Sequence, residues 1–229
     1  MKMRNKIVLG AVTAVGMLSL LAGTATAAPA TGTGSGRADT ACADVRLPSK
    51  LPVPPAGMSA QQDVSIGSDC VPHLGPVRFV PSSPARAEAR AQTAAAPAIT
   101  SRQVRSWSEM YDCCNIRMTA LSTSSTWDTA DNQVTNAVTE LQTGANREPW
   151  DAGWSLKTSS KTEGGPGATS QITAHAEFSY RGIFDPTGNW YATTHDTSVQ
   201  LNGDGTAWCQ FDITLRHTFI GWNSVRGCA

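Results

Sequence analysis

His175 and Glu177 stand two residues apart in an alternating run, residues 172–180. On an extended chain they share a face. An imidazole beside a carboxylate is the minimum for general acid–base chemistry or half of a metal site. His195 and Asp196 are sequence neighbours and point to opposite faces if extended, which makes them the weaker pair. His217 falls on the apolar side of its strand, where a buried, hydrogen-bonded imidazole is expected, and His73 lies in a proline-rich stretch. The chain carries no G-x-S-x-G elbow, no H-E-x-x-H and no zinc-type Cys/His spacing, so neither metal nor cofactor is expected. Asn202-Gly203-Asp204-Gly205 reads as a turn, because Gln200 stands where a calcium loop would put an acidic ligand. Glu109, Glu140, Glu148, Glu177 and Asp212 form a pool from which a glycosidase pair could come, and none of them stands out.

Tryptophan is the more informative signal. All seven lie beyond residue 100: Trp107, Trp127, Trp150, Trp154, Trp190, Trp208 and Trp222. Trp208 sits at a polar position of a long alternating run, in phase with Gln210, Asp212 and Arg216. A flat aromatic flanked by amide, carboxylate and guanidinium suits stacking on a sugar ring with hydroxyls bonded around it. Trp190-Tyr191 and the Pro149-Trp150…Trp154 loop offer further platforms, since binding residues favour loops.

Six cysteines, Cys42, Cys70, Cys113, Cys114, Cys209 and Cys228, form an even set that predicts disulfides. Cys113 and Cys114 are adjacent. A bond between them would close a strained eight-membered ring, so each is expected to have a distant partner. The expected pairing is Cys42–Cys70, with Cys113 and Cys114 tied to Cys209 and Cys228 in either order. Loops of about a hundred residues would then be closed, each worth about 4–5 kcal/mol in the chain-entropy model.

These side chains must be held by strands. Ile172, Ala174, Ala176, Phe178 and Tyr180 alternate with Thr173, His175, Glu177 and Ser179. The run from Ala207 through Phe219 repeats the pattern. Such long period-two runs are half-buried antiparallel strands. Val199 and Leu201, the Asn-Gly-Asp-Gly turn, and Ala207 onward read as a hairpin. Further turns are expected at 164–167 and 185–188, and one or two strands within 104–118. Residues 131–141 fit either a helix stripe or a strand. The predicted fold is all-β: a disulfide-bonded antiparallel β-sandwich of roughly seven or eight strands over residues 101–229. A Pro-rich module at 38–80, stapled by Cys42–Cys70, is expected to precede it, with an Ala/Pro-rich linker at 81–100.

The first 27 residues read as a secretory signal peptide: Lys2, Arg4 and Lys6, an apolar stretch, then Ala25-Thr26-Ala27. Residues 28–37 read as a flexible segment. The apolar stretch is shorter than the about 20 residues that span a bilayer, and no later segment is long and apolar enough, so no membrane insertion is expected after cleavage. Cleavage removes three positive charges from a balance of 18 basic and 18 acidic residues, leaving a net −3. With no basic excess, a general nucleic-acid binder is disfavoured. The sequence therefore predicts a secreted, extracellular bacterial protein: a non-catalytic binding module for a polysaccharide or cell-surface glycan, its site at Trp208, Gln210, Asp212, Arg216, Trp190 and Tyr191. The alternatives are a secreted hydrolase using His175 and Glu177, or a protein-binding or inhibitor domain presenting the loop at 162–170. The oligomeric state, and whether 38–80 is a removable pro-segment, are left open.

Overall fold

A computed structural model describes residues 41–82, 100–147 and 153–229. The expected leader at 1–27 and flexible segment at 28–37, most of the expected linker, Glu148 and Trp150 lie outside the described residues. Twelve strands follow in order: β1 (Ala41–Leu51), β2 (Met58–Ile66), β3 (Pro72–Leu74), β4 (Arg78–Pro81), β5 (Thr100–Tyr111), β6 (Arg117–Ala130), β7 (Gln133–Ala145), β8 (Gly153–Glu163), β9 (Thr169–Arg181), β10 (Ala192–Asn202), β11 (Ala207–Phe219) and β12 (Asn223–Cys228). They form two antiparallel sheets packed as a sandwich, with no helix among the described residues. The first sheet runs β1-β11-β10-β9-β8. The second runs β3-β2-β12-β5-β6-β7, with β4 also pairing β2.

The alternating runs explain the layers. In β9 the positions of Ile172, Ala174, Ala176 and Phe178 are buried, and in β11 so are Ala207, Cys209, Phe211, Ile213 and Leu215. Within residues 131–141, Gln133 onward is strand. Asp131 (φ 51°) and Asn132 (φ 59°) form a two-residue left-handed turn, with Ala130 paired to Gln133, so β7 folds straight back on β6.

Residues 41–81 differ from the separate module expected for 38–80. β1 lies along β11 in the first sheet, and β2 lies against β12 in the second. The prolines conceal an apolar face: Val45, Leu47 and Leu51 are buried. Pro48 is tolerated because β1 is an edge strand and needs no donor on its open side. The inward alternation breaks near Asp44, at φ 47°, and opposite it in β11. His217 is consequently half-buried, not inside, and bonds the Arg216 carbonyl (2.7 Å).

The expected Cys42–Cys70 bond is present, and Cys209 pairs with Cys228. Cys113 and Cys114 are free, which corrects the expected partners. The reason is distance. Cys113 and Cys114 sit in the β5–β6 turn, beside the start of β12, because Asn223 pairs with Tyr111. Cys228 is five residues further along β12, about 17 Å away at strand rise, at the level of Ser106. Cys209 reaches it from β11 across the interior, so this bond ties one sheet to the other. The bonds span 28 and 19 residues, each worth about 3–4 kcal/mol in the chain-entropy model.

The interior has two apolar clusters with a polar band between them. In that band His195 is wholly enclosed, with Nδ1 2.8 Å from Ser108 Oγ and Nε2 2.9 Å from Thr119 Oγ1. Arg226, also fully buried, donates from Nη1 to the Leu47 carbonyl (2.8 Å). One end of the sandwich is knit shut by turns. Val134 and Gly167 exchange backbone hydrogen bonds, Gly203 N–H donates to the Ala168 carbonyl (2.9 Å), and Trp127 Nε1 donates to the Asn202 carbonyl (3.3 Å). The other end holds a cavity.

Candidate functional site

The outer face of the first sheet collects the polar halves of the alternating strands. Strand register places Ser160, His175, Asp196 and Asp212 in one row across β8, β9, β10 and β11. A neighbouring row holds Thr162, Thr173, Ser198, Gln210 and Lys50, and the next beyond it Gln171, Gln200 and Trp208. On the other side Glu177, Thr194, Thr214 and Arg46 make a fourth row. A shallow groove of about 310 Å³ runs over the first two rows.

Within the groove His175 Nδ1 lies 2.8 Å from Asp196 Oδ1. The imidazole thus pairs with Asp196, not with Glu177, which stands one row away. Asp196 could be found from sequence only through the β9–β10 register, because alternation alone places it opposite in phase to His195. Ser160 is directly across from His175, so a hydroxyl, an imidazole and a carboxylate share one row. The face is open: the side chains of His175 and Asp196 are 39% and 53% exposed, and their backbone is committed to the sheet ladder.

Trp208, Gln210 and Asp212 lie along β11 on this face, followed by Arg216. Each of the outer two, and Asp212, has an internal partner. Lys50 Nζ sits 3.9 Å over the Trp208 ring. Arg46 clamps the Asp212 carboxylate through Nε, at 2.9 and 2.8 Å to its two oxygens, and through Nη2. Arg216 Nη1 donates to the Asn189 carbonyl (2.9 Å). Gln210 is exposed, and Gln171 Nε2 donates to Ser198 Oγ (2.8 Å). Lys50 and Arg46 were missed in the sequence because the β1 stretch reads as a proline-rich module and not as part of this sheet.

Trp190 and Tyr191 belong to the opposite end of β11. Trp190 is 52% exposed and its ring centroid is 3.8 Å from that of His217. Tyr191 is buried and turns away from the outer face, stacking on Phe219 (5.4 Å). The loop bearing both, residues 182–191, is organised by one buried carboxylate. Asp185 accepts hydrogen bonds from Thr187 Oγ1 and the backbone N–H groups of Thr187, Gly188, Trp190 and Tyr191. Burial pushes its pKa up, but these hydrogen bonds outweigh it and hold the group at about 2.

Tyr191 is part of an aromatic cavity of about 720 Å³ at the open end of the sandwich. Trp154, Tyr180, Tyr191 and Trp222 form its buried floor, each in ring contact with at least one other. Phe184, 66% exposed, stands at its mouth with Ile116 and Cys113. The sequence signal for it was the tryptophan excess itself, but Trp154 and Trp222 lie at strand ends, where alternation does not report direction.

Compared with known proteins, the chain matches no protein-family model, no curated protein and no solved structure. Among the described residues no group of three or more His, Cys, Asp or Glu side chains could hold a metal ion, and no helix is long and apolar enough to cross a membrane.

Proposed function

We propose that this is a secreted, extracellular, non-catalytic module that binds a polysaccharide or cell-surface glycan across the outer face of the first sheet. One observation carries the reading. Along β11, Trp208 and Arg216 stand eight residues, about 27 Å, apart on the same face, with Trp190 beyond Arg216 beside His217. Between them lie rows of amides, hydroxyls, carboxylates and an imidazole. That is the length and chemistry of an extended polymer with many hydroxyls, not of a compact ligand. Two disulfides support an oxidising compartment, and the leader read in the sequence supports export. Binding requires the Lys50 ammonium to swing off the Trp208 ring or to bridge the sugar edge, which a flexible four-carbon stem allows.

The test is retention on insoluble chitin, cellulose and peptidoglycan, with the supernatants assayed for released sugars. Retention without release is expected. Removing a central aromatic from a binding face costs about 2 kcal/mol or more, so Trp208→Ala combined with Gln210→Ala is expected to weaken retention at least roughly thirtyfold. Undiminished retention by that variant would sink the site. Release of fragments that disappears with His175→Ala would instead favour the hydrolase reading, for which the His175–Asp196 pair is the supporting observation.

A further inference from the structure

We propose that Cys113 and Cys114 form a reversible vicinal disulfide by exchange with small-molecule disulfides, and that ring closure alters access to the aromatic cavity beside them. The inference is independent of the glycan reading. Four of the six cysteines are already paired, and in a disulfide-forming compartment exchange falls on the thiols that remain. These two are exposed, and their sulphurs lie 3.7 Å apart. The turn carrying them is tied at its base. Asp112 Oδ1 accepts from Cys114 N–H (2.9 Å) and Ile116 N–H (2.8 Å), and Asn115 takes a left-handed φ of 60°. The strands on either side are therefore fixed, while the sulphurs can meet by local rotation.

The exchange balances in two steps. The Cys113 thiolate attacks one sulphur of an oxidised disulfide R–S–S–R, releasing R–S⁻, which takes up the proton lost by Cys113. Cys114, deprotonated in turn, attacks the Cys113 sulphur of the mixed disulfide. The second R–S⁻ leaves and takes that proton. Two thiols lose two electrons and two protons, and the reagent gains both. The hydrogen bond to Cys113, and then its charge, push the Cys114 thiol up. The product ring contains the peptide bond between the two residues. Its geometry departs from that of ordinary disulfides, which places it in the easily reduced, switchable class.

The consequence for the cavity follows from position. Cys113 lines its mouth together with Ile116 and Ile220. Beside it, a Cβ on Gly221 would stand 3.6 Å from Cys113 Cβ, so the β5–β6 and β11–β12 turns are in near contact. Turning the 113–114 peptide to close the ring takes its N–H off Asp112 Oδ1 and shifts Cys113, which lines the mouth, against the β11–β12 turn.

The test uses the full folded protein. After mild reduction and N-ethylmaleimide treatment without denaturant, Cys113 and Cys114 are expected to take up two labels. After oxidised glutathione they should take up none, the mass falling by two hydrogen atoms and peptide mapping locating the link at 113–114. Persistent glutathione adducts, or two thiols still labelled, would overturn the proposal. The apolar dye ANS reads the cavity. Its affinity is expected to change about fivefold or more between the two states, and not at all in a Cys113→Ser/Cys114→Ser variant that keeps both other disulfides. Equal affinity in both states, no dye binding in either, or the same change in the double variant would overturn the coupling to the cavity.

Discussion

The imidazole of His195 is completely enclosed and has both ring nitrogens committed to hydroxyls, one as donor and one as acceptor. Burial, and then the Arg226 charge, lower its pKa from 6.5 to about 3. Unfolding releases a ring that titrates near its ordinary value. Between about pH 6.5 and 3 the unfolded chain therefore holds a proton that the folded chain does not. Stability rises with pH across that window and falls by about 1.4 kcal/mol for each unit of acidification within it. Urea midpoints measured from pH 7 down to pH 4 are expected to show this slope. A His195→Gln variant, which offers an amide to the same hydroxyls but cannot titrate, should lose most of it. A variant with the parent slope would assign the effect to other groups.

At the scale of elements, the knit end of the sandwich concentrates its constraint at one glycine. A Cβ on Gly203 would stand 2.0 Å from the Asn132 carbonyl oxygen and 2.3 Å from its carbon, and neither backbone atom can step aside without disturbing the β6–β7 turn. Gly203→Ala is expected to cost about 1–3 kcal/mol by overpacking, read as a lower denaturation midpoint, whereas Gly165→Ala, with open space around it, should be close to neutral. This contact also marks what could be read in advance. The β10–β11 hairpin, the inward faces of β9 and β11 and the all-β sandwich were legible because period-two alternation is a local signal. Trp208, Gln210 and Asp212 were legible as one face for the same reason. Which strands lie side by side is not local. The pairing of His175 with Asp196, of Arg46 with Asp212 and of Cys209 with Cys228 each depends on register or on sheet-to-sheet packing. The prolines of β1 masked its place in the first sheet, and with it Lys50 over Trp208.

At the scale of the molecule, β12 lies between β2 and β5, and Cys228 carries the bond to the opposite sheet. A chain ending before Asn223 leaves β2 and β5 without their common neighbour and Cys209 without its partner. Such a chain is expected to be rapidly proteolysed and to show no cooperative melting; a melting transition like that of the parent would refute this dependence. The strand order also has a temporal meaning. Synthesis delivers β2 and β5 well before the segment that joins them, so the second sheet stays divided until the last strand is made. Its closure is a late, long-range event, slow by the measure of sequence separation. Until then consecutive strands such as β5–β6–β7 can pair, but β2 and β5 stay apart until residues 223–228 arrive.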